Sequence, residues 1–228
     1  MATALEIQPM RIRTFALTAA IALPGLATAL FVGSSIADRT VEATTTPVAE
    51  PLPDMPEGVY KIDSVHSAAL FRVKHMGAGN FWGRFNDVNG QVTYTPSDDK
   101  KTFEFNVDIP IDGVDSGNDK LDQHLKSPDF FNGKEHKSMT FKSTEIERIS
   151  QDVWDVSGKL TMNGVTKDIV ALVRFISTAD LGRGYRAGFE ATFDIKRSDF
   201  NMNYGVESGT LGDMTHVVVA MEVVHDDS

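Results

Sequence analysis

Asp63, Ser64, His66, Ser67 and His75 fall within the single stretch DSVHSAALFRVKH. A serine, a histidine and a carboxylate are the parts of a nucleophilic hydrolase. Such a site needs a base in reach of the hydroxyl, a group that orients the base, and an oxyanion hole. Neighbours on one turn do not converge in that way, and the chain has no Gly-x-Ser-x-Gly elbow. The competing reading is a turn in which Asp63 and Ser64 bond nearby main-chain amides, and the spacing favours it. His75 poses a separate question. It shares strand parity with Phe71 and Val73, which puts it on the apolar face. There it is either a polar group satisfied inside the core or a polar anchor for a ligand head.

Other reactive groups are sparse. His66, His75, His124, His136, His216 and His225 show no metal-ligand spacing, and there is no cysteine. Asp112, Asp115, Asn118, Asp119 and Asp122 do not match a calcium loop and lack its closing glutamate. They read as a solvated acidic loop with a helix cap at Asn118. We therefore expect no catalytic residue, no metal and no cofactor.

The elements that would position these residues begin late in the chain. Arg11 and Arg13 precede an apolar run from Phe15 to Val32, followed by the small-x-small triplet Ser35-Ile36-Ala37. This pattern is a secretory signal over residues 1–37, with a membrane tether through residues 15–32 as the alternative. Either way the body is expected outside the cytoplasm, in the periplasm or secreted. Residues 38–57 hold four of the nine prolines and a threonine run, and read as a linker. Residues 58–228 form the body. The whole chain carries −10; Arg11, Arg13 and Glu6 make the first 37 residues +1, which leaves −11 for the rest. So acidic a body repels phosphate backbones, which argues against a nucleic-acid partner. A homodimer stays open.

From Gly58 onward the chain alternates with period two. TFEFNVDIP puts Phe103, Phe105, Val107 and Ile109 on one face, and RAGFEATFDIK does the same with Phe189 and Phe193. THVVVAMEVV places Val217, Val219, Met221 and Val223 together. Weaker strands at 59–63, 90–94, 138–146, 153–162 and 165–175 bring the count to eight or nine, with Asn163-Gly164 as a two-residue hairpin signal. One short helix is expected at about 119–126, stopped by Pro128. No helix is long enough to cover a sheet, so the sheet must cover itself as a sandwich or a closed barrel.

The inward parity gathers aromatics. Phe71, Phe103, Phe105, Phe141, Phe189 and Phe193, with Trp154, would line the interior. Phe81 and Trp82, which lie with Phe85 in a glycine-flanked loop, and Phe130 and Phe131, after the helix, would form its mouth. The pattern fits a solid core as well as a hollow one, because both need apolar residues inside.

Five runs, YKIDSVHSAALFRVKHMG, WGRFNDVNGQV, DSGNDKLDQHLKSPDFFN, GKLTMNGVTKDI and FDIKRSDFNMNYG, resemble the YceI-like family of periplasmic lipid-binding proteins in order and spacing. The chain departs from the usual pattern at His136-Lys137 and at Asn201, both loop positions. The resemblance implies an all-β, antiparallel, eight-stranded lipocalin-like barrel with an elongated apolar tunnel. It implies as ligand a polyisoprenoid, an isoprenoid quinone or a fatty-acid-like chain. On this view Phe71, Val73, Phe103, Phe105, Phe141, Trp154, Phe189, Phe193 and Met221 form the wall, and His75 is its polar anchor. The alternatives are an enzyme acting on an amphipathic substrate through Asp63, His66 and His75, and a structural module with a filled core.

Overall fold

Period-two runs with one apolar face become strands wherever that face can be buried. The computed structural model describes residues 55–96 and 101–226. The expected signal segment lies outside the described residues, as does most of the expected linker, of which Met55, Pro56 and Glu57 are described. Met55 is buried in the core, and Tyr60 Oη donates to the Pro56 carbonyl at 2.7 Å. Among the described residues no helix is long and apolar enough to cross a membrane.

The strands are β1 (Gly58–Ile62), β2 (Ala68–His75), β3 (Gly79–Phe85), β4 (Asn89–Pro96), β5 (Lys101–Pro110), β6 (Val114–Asp115), β7 (Ser138–Arg148), β8 (Val153–Met162), β9 (Val165–Asp180), β10 (Tyr185–Lys196) and β11 (Leu211–His225). Eight of them close a ring in the order β1-β4-β5-β7-β8-β9-β10-β11, with β11 returning to pair with β1. Every pairing is antiparallel. The protein is therefore the eight-stranded antiparallel barrel, not a sandwich.

The remaining three strands continue members of the ring past corners. One half of β11 pairs with β1 through Ile62↔Val223, and the other half pairs with β2 through Val217↔Phe71. β1 and β2 are thus two stretches of one strand bent at residues 63–67. β4 and β3 are related in the same way across residues 86–88. β5 passes through a single 3-10 turn, Ile111–Gly113, into β6, which pairs with β3. These corners explain why eight strand positions are filled by eleven strand segments.

Local chemistry sets the connections. Asn163 and Gly164 both take positive φ, 47° and 75°, as a two-residue hairpin loop requires. The short helix α1 (Asp119–Leu125) is capped by Asn118, whose side-chain oxygen accepts from the Lys120 and Leu121 amides at 3.1 Å each. A register shift in β7 between Ser143 and Glu145 breaks the alternation there. Ser143 stays buried, and its hydroxyl accepts the Phe105 amide at 2.9 Å, so the irregularity leaves no unpaired donor.

Candidate ligand-binding site

One end of the barrel is solid. Tyr60, Tyr94, Phe103, Phe105, Trp154, Phe175 and Phe189 are all buried there. Their rings meet largely edge to face: Phe103 lies 5.4 Å from both Trp154 and Phe189, and Phe189 lies 5.5 Å from Phe105 and 5.6 Å from Phe175. Such contacts add roughly 0.5–1.5 kcal/mol per pair beyond simple burial. Phe103, Trp154 and Phe189 were expected along a tunnel wall. They instead fill this plug and line neither of the two spaces described below.

The other end is hollow. A cavity of about 730 Å³ lies between β2, β3, β7, β8, β10, β11 and the segment around α1. Phe71, Val73, Phe81 and Phe85 form one wall. Phe130 and Phe131 close in after the helix. Met139, Leu160, Met162, Phe193 and Ile195 stand along β7, β8 and β10. A narrower space of about 60 Å³ leads on toward the plug, lined by Phe105, Phe141, Phe193 and Met221 among others. It shares Ile109, Met139, Leu160, Phe193 and Val219 with the larger cavity. The volume suits an organic ligand of moderate size, since such pockets span about 300–1,000 Å³.

Two glycines shape these walls. Gly83 pairs with Phe71 across β2 and β3, and a β-carbon on it would stand 2.3 Å from the Phe71 ring. A β-carbon on Gly158 would stand equally close to the Phe141 ring. Each ring therefore lies flat over a bare stretch of its neighbouring strand, which keeps it against the wall and out of the lumen.

The mouth differs from expectation in two places. His75 borders the cavity but is exposed, because it is the last residue of β2 and sits at the rim. Trp82 is 47 % exposed and lies outside, with the Arg72 guanidinium 5.5 Å from its ring centroid. The segment around Trp82 is not the expected loop but strand β3, in which Trp82 pairs with Arg72 and strand parity turns both away from the lumen. The mouth is built instead by α1 and the loop that follows the Arg197–Phe200 turn. His124 of α1 packs against Phe130 and Tyr204 with centroids 4.9 and 5.0 Å away, and Phe130 and Tyr204 lie 5.3 Å apart.

Arg197 was not foreseen. It is buried and borders the cavity. Its donors bond the carbonyls of Gly212, Met202, Tyr204 and Leu211, which fastens the loop over the opening. Burial pushes its pKa below the usual value, and the charge of Asp213 opposes that shift. Met139, Leu160 and Met162 were also missed, although their parity with Phe141 and Val156 was legible. Arg197 follows Ile195 at the same parity, but a cation there reads as solvent-facing until its acceptors are known.

The DSVHS stretch is the corner between β1 and β2. Asp63 Oδ1 accepts the Val65 amide at 3.0 Å, which is the turn expected for an aspartate. His66 Nδ1 stands 3.0 Å from Asp63 Oδ2. Arg186 Nη1 donates to the same Oδ2 at 2.9 Å and also to Glu222. The His66 hydrogen bond, then that of Arg186, holds the Asp63 carboxyl down at about 2. Ser67 accepts the Glu222 amide at 3.0 Å and is buried. Asp63, His66 and Glu222 bring three donor atoms within 4.8 Å of one another, a cluster invisible in sequence because Glu222 is remote. The Arg186 guanidinium already bridges its two carboxylates and supplies the countercharge. None of these groups lines the cavity.

The model of the YceI-like domain matches residues 60–223. A UPF0312 protein of Pectobacterium carotovorum is 37 % identical over 171 residues, which cover 72 % of this chain and 85 % of that protein. The crystal structure of the Campylobacter jejuni YCEI protein is similar with a TM-score of 0.60 and 30 % identity, covering 68 % of this chain and 90 % of the other. A polyisoprenoid binding domain from Saccharophagus degradans shares the fold, with a TM-score of 0.57 at 16 % identity over 73 % of this chain and 98 % of that domain.

Proposed function

The chain belongs to the YceI-like family, and from that premise we propose that it binds a long-chain apolar lipid inside the barrel and serves as its carrier or store in the periplasm. The observation that carries this reading is the hollow half of the barrel, an apolar cavity of about 730 Å³ that narrows toward an aromatic plug. A space of that form admits a chain from the mouth and runs it toward the plug. Each buried methylene contributes roughly 0.8 kcal/mol. Ten or more offset much of the cost of association with little polar help. The family, and the polyisoprenoid binding named for the Saccharophagus domain, favour a polyisoprenoid or another long chain. They also favour binding over catalysis. The polar cluster at Asp63 is spent on holding a corner, away from the cavity.

Native mass spectrometry of the purified protein tests the proposal. A long-chain lipid, co-purified or added, should bind one per barrel. Val217 borders the cavity, so Val217→Trp should abolish that adduct while far-ultraviolet circular dichroism stays unchanged. Protein that remains empty and takes up no hydrophobic probe would sink the reading. Cell fractionation of a host expressing the full chain tests the periplasmic placement.

A further inference from the structure

No aspartate, glutamate or lysine lines the cavity among the described residues, and Arg197, at 5 % exposure, is the buried cation in its wall. A guanidinium has five N–H donors. Arg197 Nε donates to Gly212 O at 2.8 Å, Nη1 to Met202 O at 3.0 Å, and Nη2 to Tyr204 O at 2.7 Å and Leu211 O at 3.4 Å. One Nη1 hydrogen is left without a protein acceptor. Every partner is a neutral carbonyl. Asp213, the acidic group whose charge Arg197 feels, spends its oxygens on the Ser198 amide and hydroxyl at 2.9 and 2.8 Å.

Thr215 lines the same cavity. It pairs with Ile195, two residues before Arg197, and on its other side with Val73. It belongs to the inward row that continues with Val217, Val219 and Met221, and it is the polar member of that row. Thr215 is 8 % exposed, lines the cavity, and its hydroxyl makes no hydrogen bond within the protein. No fully buried side-chain polar atom is unpaired among the described residues, so this oxygen borders the open space of the cavity. Valine would fill the same volume and suit a purely apolar lumen better.

We propose that Arg197 and Thr215 form a head-group subsite, and that the bound lipid carries an oxygen acceptor (a carbonyl, carboxylate or phosphate) at one end of its chain. This rests on the cavity being a lipid site. Four main-chain oxygens hold the guanidinium in place before the ligand arrives, so binding spends little on ordering it. A ligand without an acceptor leaves the hydroxyl and the spare N–H dry and unpaired, and a site built to hydrogen-bond rejects an analogue for that reason. Arg197 does two jobs here, because it also fastens the loop at the mouth. Thr215→Val is therefore the cleaner probe.

The experiment is displacement of a fluorescent apolar probe by four ligands of equal chain length: a fatty acid, a methyl ketone, an alkyl phosphate and a terminal alkene. In the native protein at least one oxygen-bearing ligand should bind about 10- to 100-fold tighter than the alkene. In Thr215→Val that preference should fall about 5- to 10-fold while the alkene binds as before. In Arg197→Lys, checked for an intact fold by circular dichroism, it should fall again. A ketone matching the acid identifies a neutral carbonyl head; acid and phosphate far ahead of the ketone identify an anionic one. Equal binding of all four to native protein, or an unchanged preference in Thr215→Val, overturns the subsite. Failure of the probe and of every ligand to bind overturns the cavity reading instead.

Discussion

Phe189 and Phe193 sit four residues apart on β10, and both belong to its inward apolar face. Phe189 is buried within touching distance of Phe103, Phe105 and Phe175. Phe193 is partly buried and borders open space. Identical residues at identical parity thus serve as plug at one end and lining at the other. The difference comes from what stands opposite. At the plug, aromatic rings from β5 and β9 meet Phe189, and Tyr94 of β4 and Trp154 of β8 pack on Phe103 beside it. Around the cavity that Phe193 borders, the aromatics come from β2, β3 and the loops after α1 and the Arg197–Phe200 turn, Phe71 lying flat where Gly83 makes room, and much of the remaining wall is methionine and aliphatic. Methionine adapts to the shape of its neighbour, which suits a wall that must accept a chain.

The most demanding test of that contrast is a pair of truncations. Phe189→Ala should cost about 3–5 kcal/mol, since the plug cannot collapse around the gap. Phe193→Ala should cost only about 1–2 kcal/mol, because part of its surface already faces space. Denaturant midpoints measure both, and equal losses would break the distinction between a filled and a hollow half.

The corner at Asp63 joins β1 to β2 and should matter less than the plug, on the order of 1–2 kcal/mol. In the unfolded chain Asp63 takes up its proton near the ordinary 3.8, whereas in the fold it resists protonation down to about 2. Its contribution is therefore whole above pH 3.8 and is lost as pH falls toward 2. Asp63→Asn should remove that segment of the pH–stability curve, and a curve of unchanged shape would show that the corner does not depend on this carboxylate. The smallest effect is expected outside the lumen. Trp82→Ala should change stability by less than about 1 kcal/mol and leave lipid uptake unaltered. A clear loss of uptake would return Trp82 to the mouth.

The barrel was legible because each strand must bury one face, and that demand writes a period of two into TFEFNVDIP and RAGFEATFDIK. The corners were only half legible. Asp63 announces a turn, but Arg186 and Glu222, which complete it, lie far along the chain and meet it only when β10 and β11 close the ring. The site divides in the same way. Phe71, Val73, Phe81, Phe130, Phe131 and Phe193 could be placed on the interior by parity and position. Parity could not say that Phe103, Trp154 and Phe189 would be consumed in a plug. Nor could it say that His75, one step from the strand end, would stand at the rim.

What the chain determined alone was the side of the sheet on which each residue falls, since backbone pleating assigns it with no knowledge of the partner strand. Whether an inward side chain meets another ring, a bare glycine or empty space depends on residues drawn together from distant strands. That was left to the closed barrel, and it is there that Arg197 and Thr215 came to line one cavity.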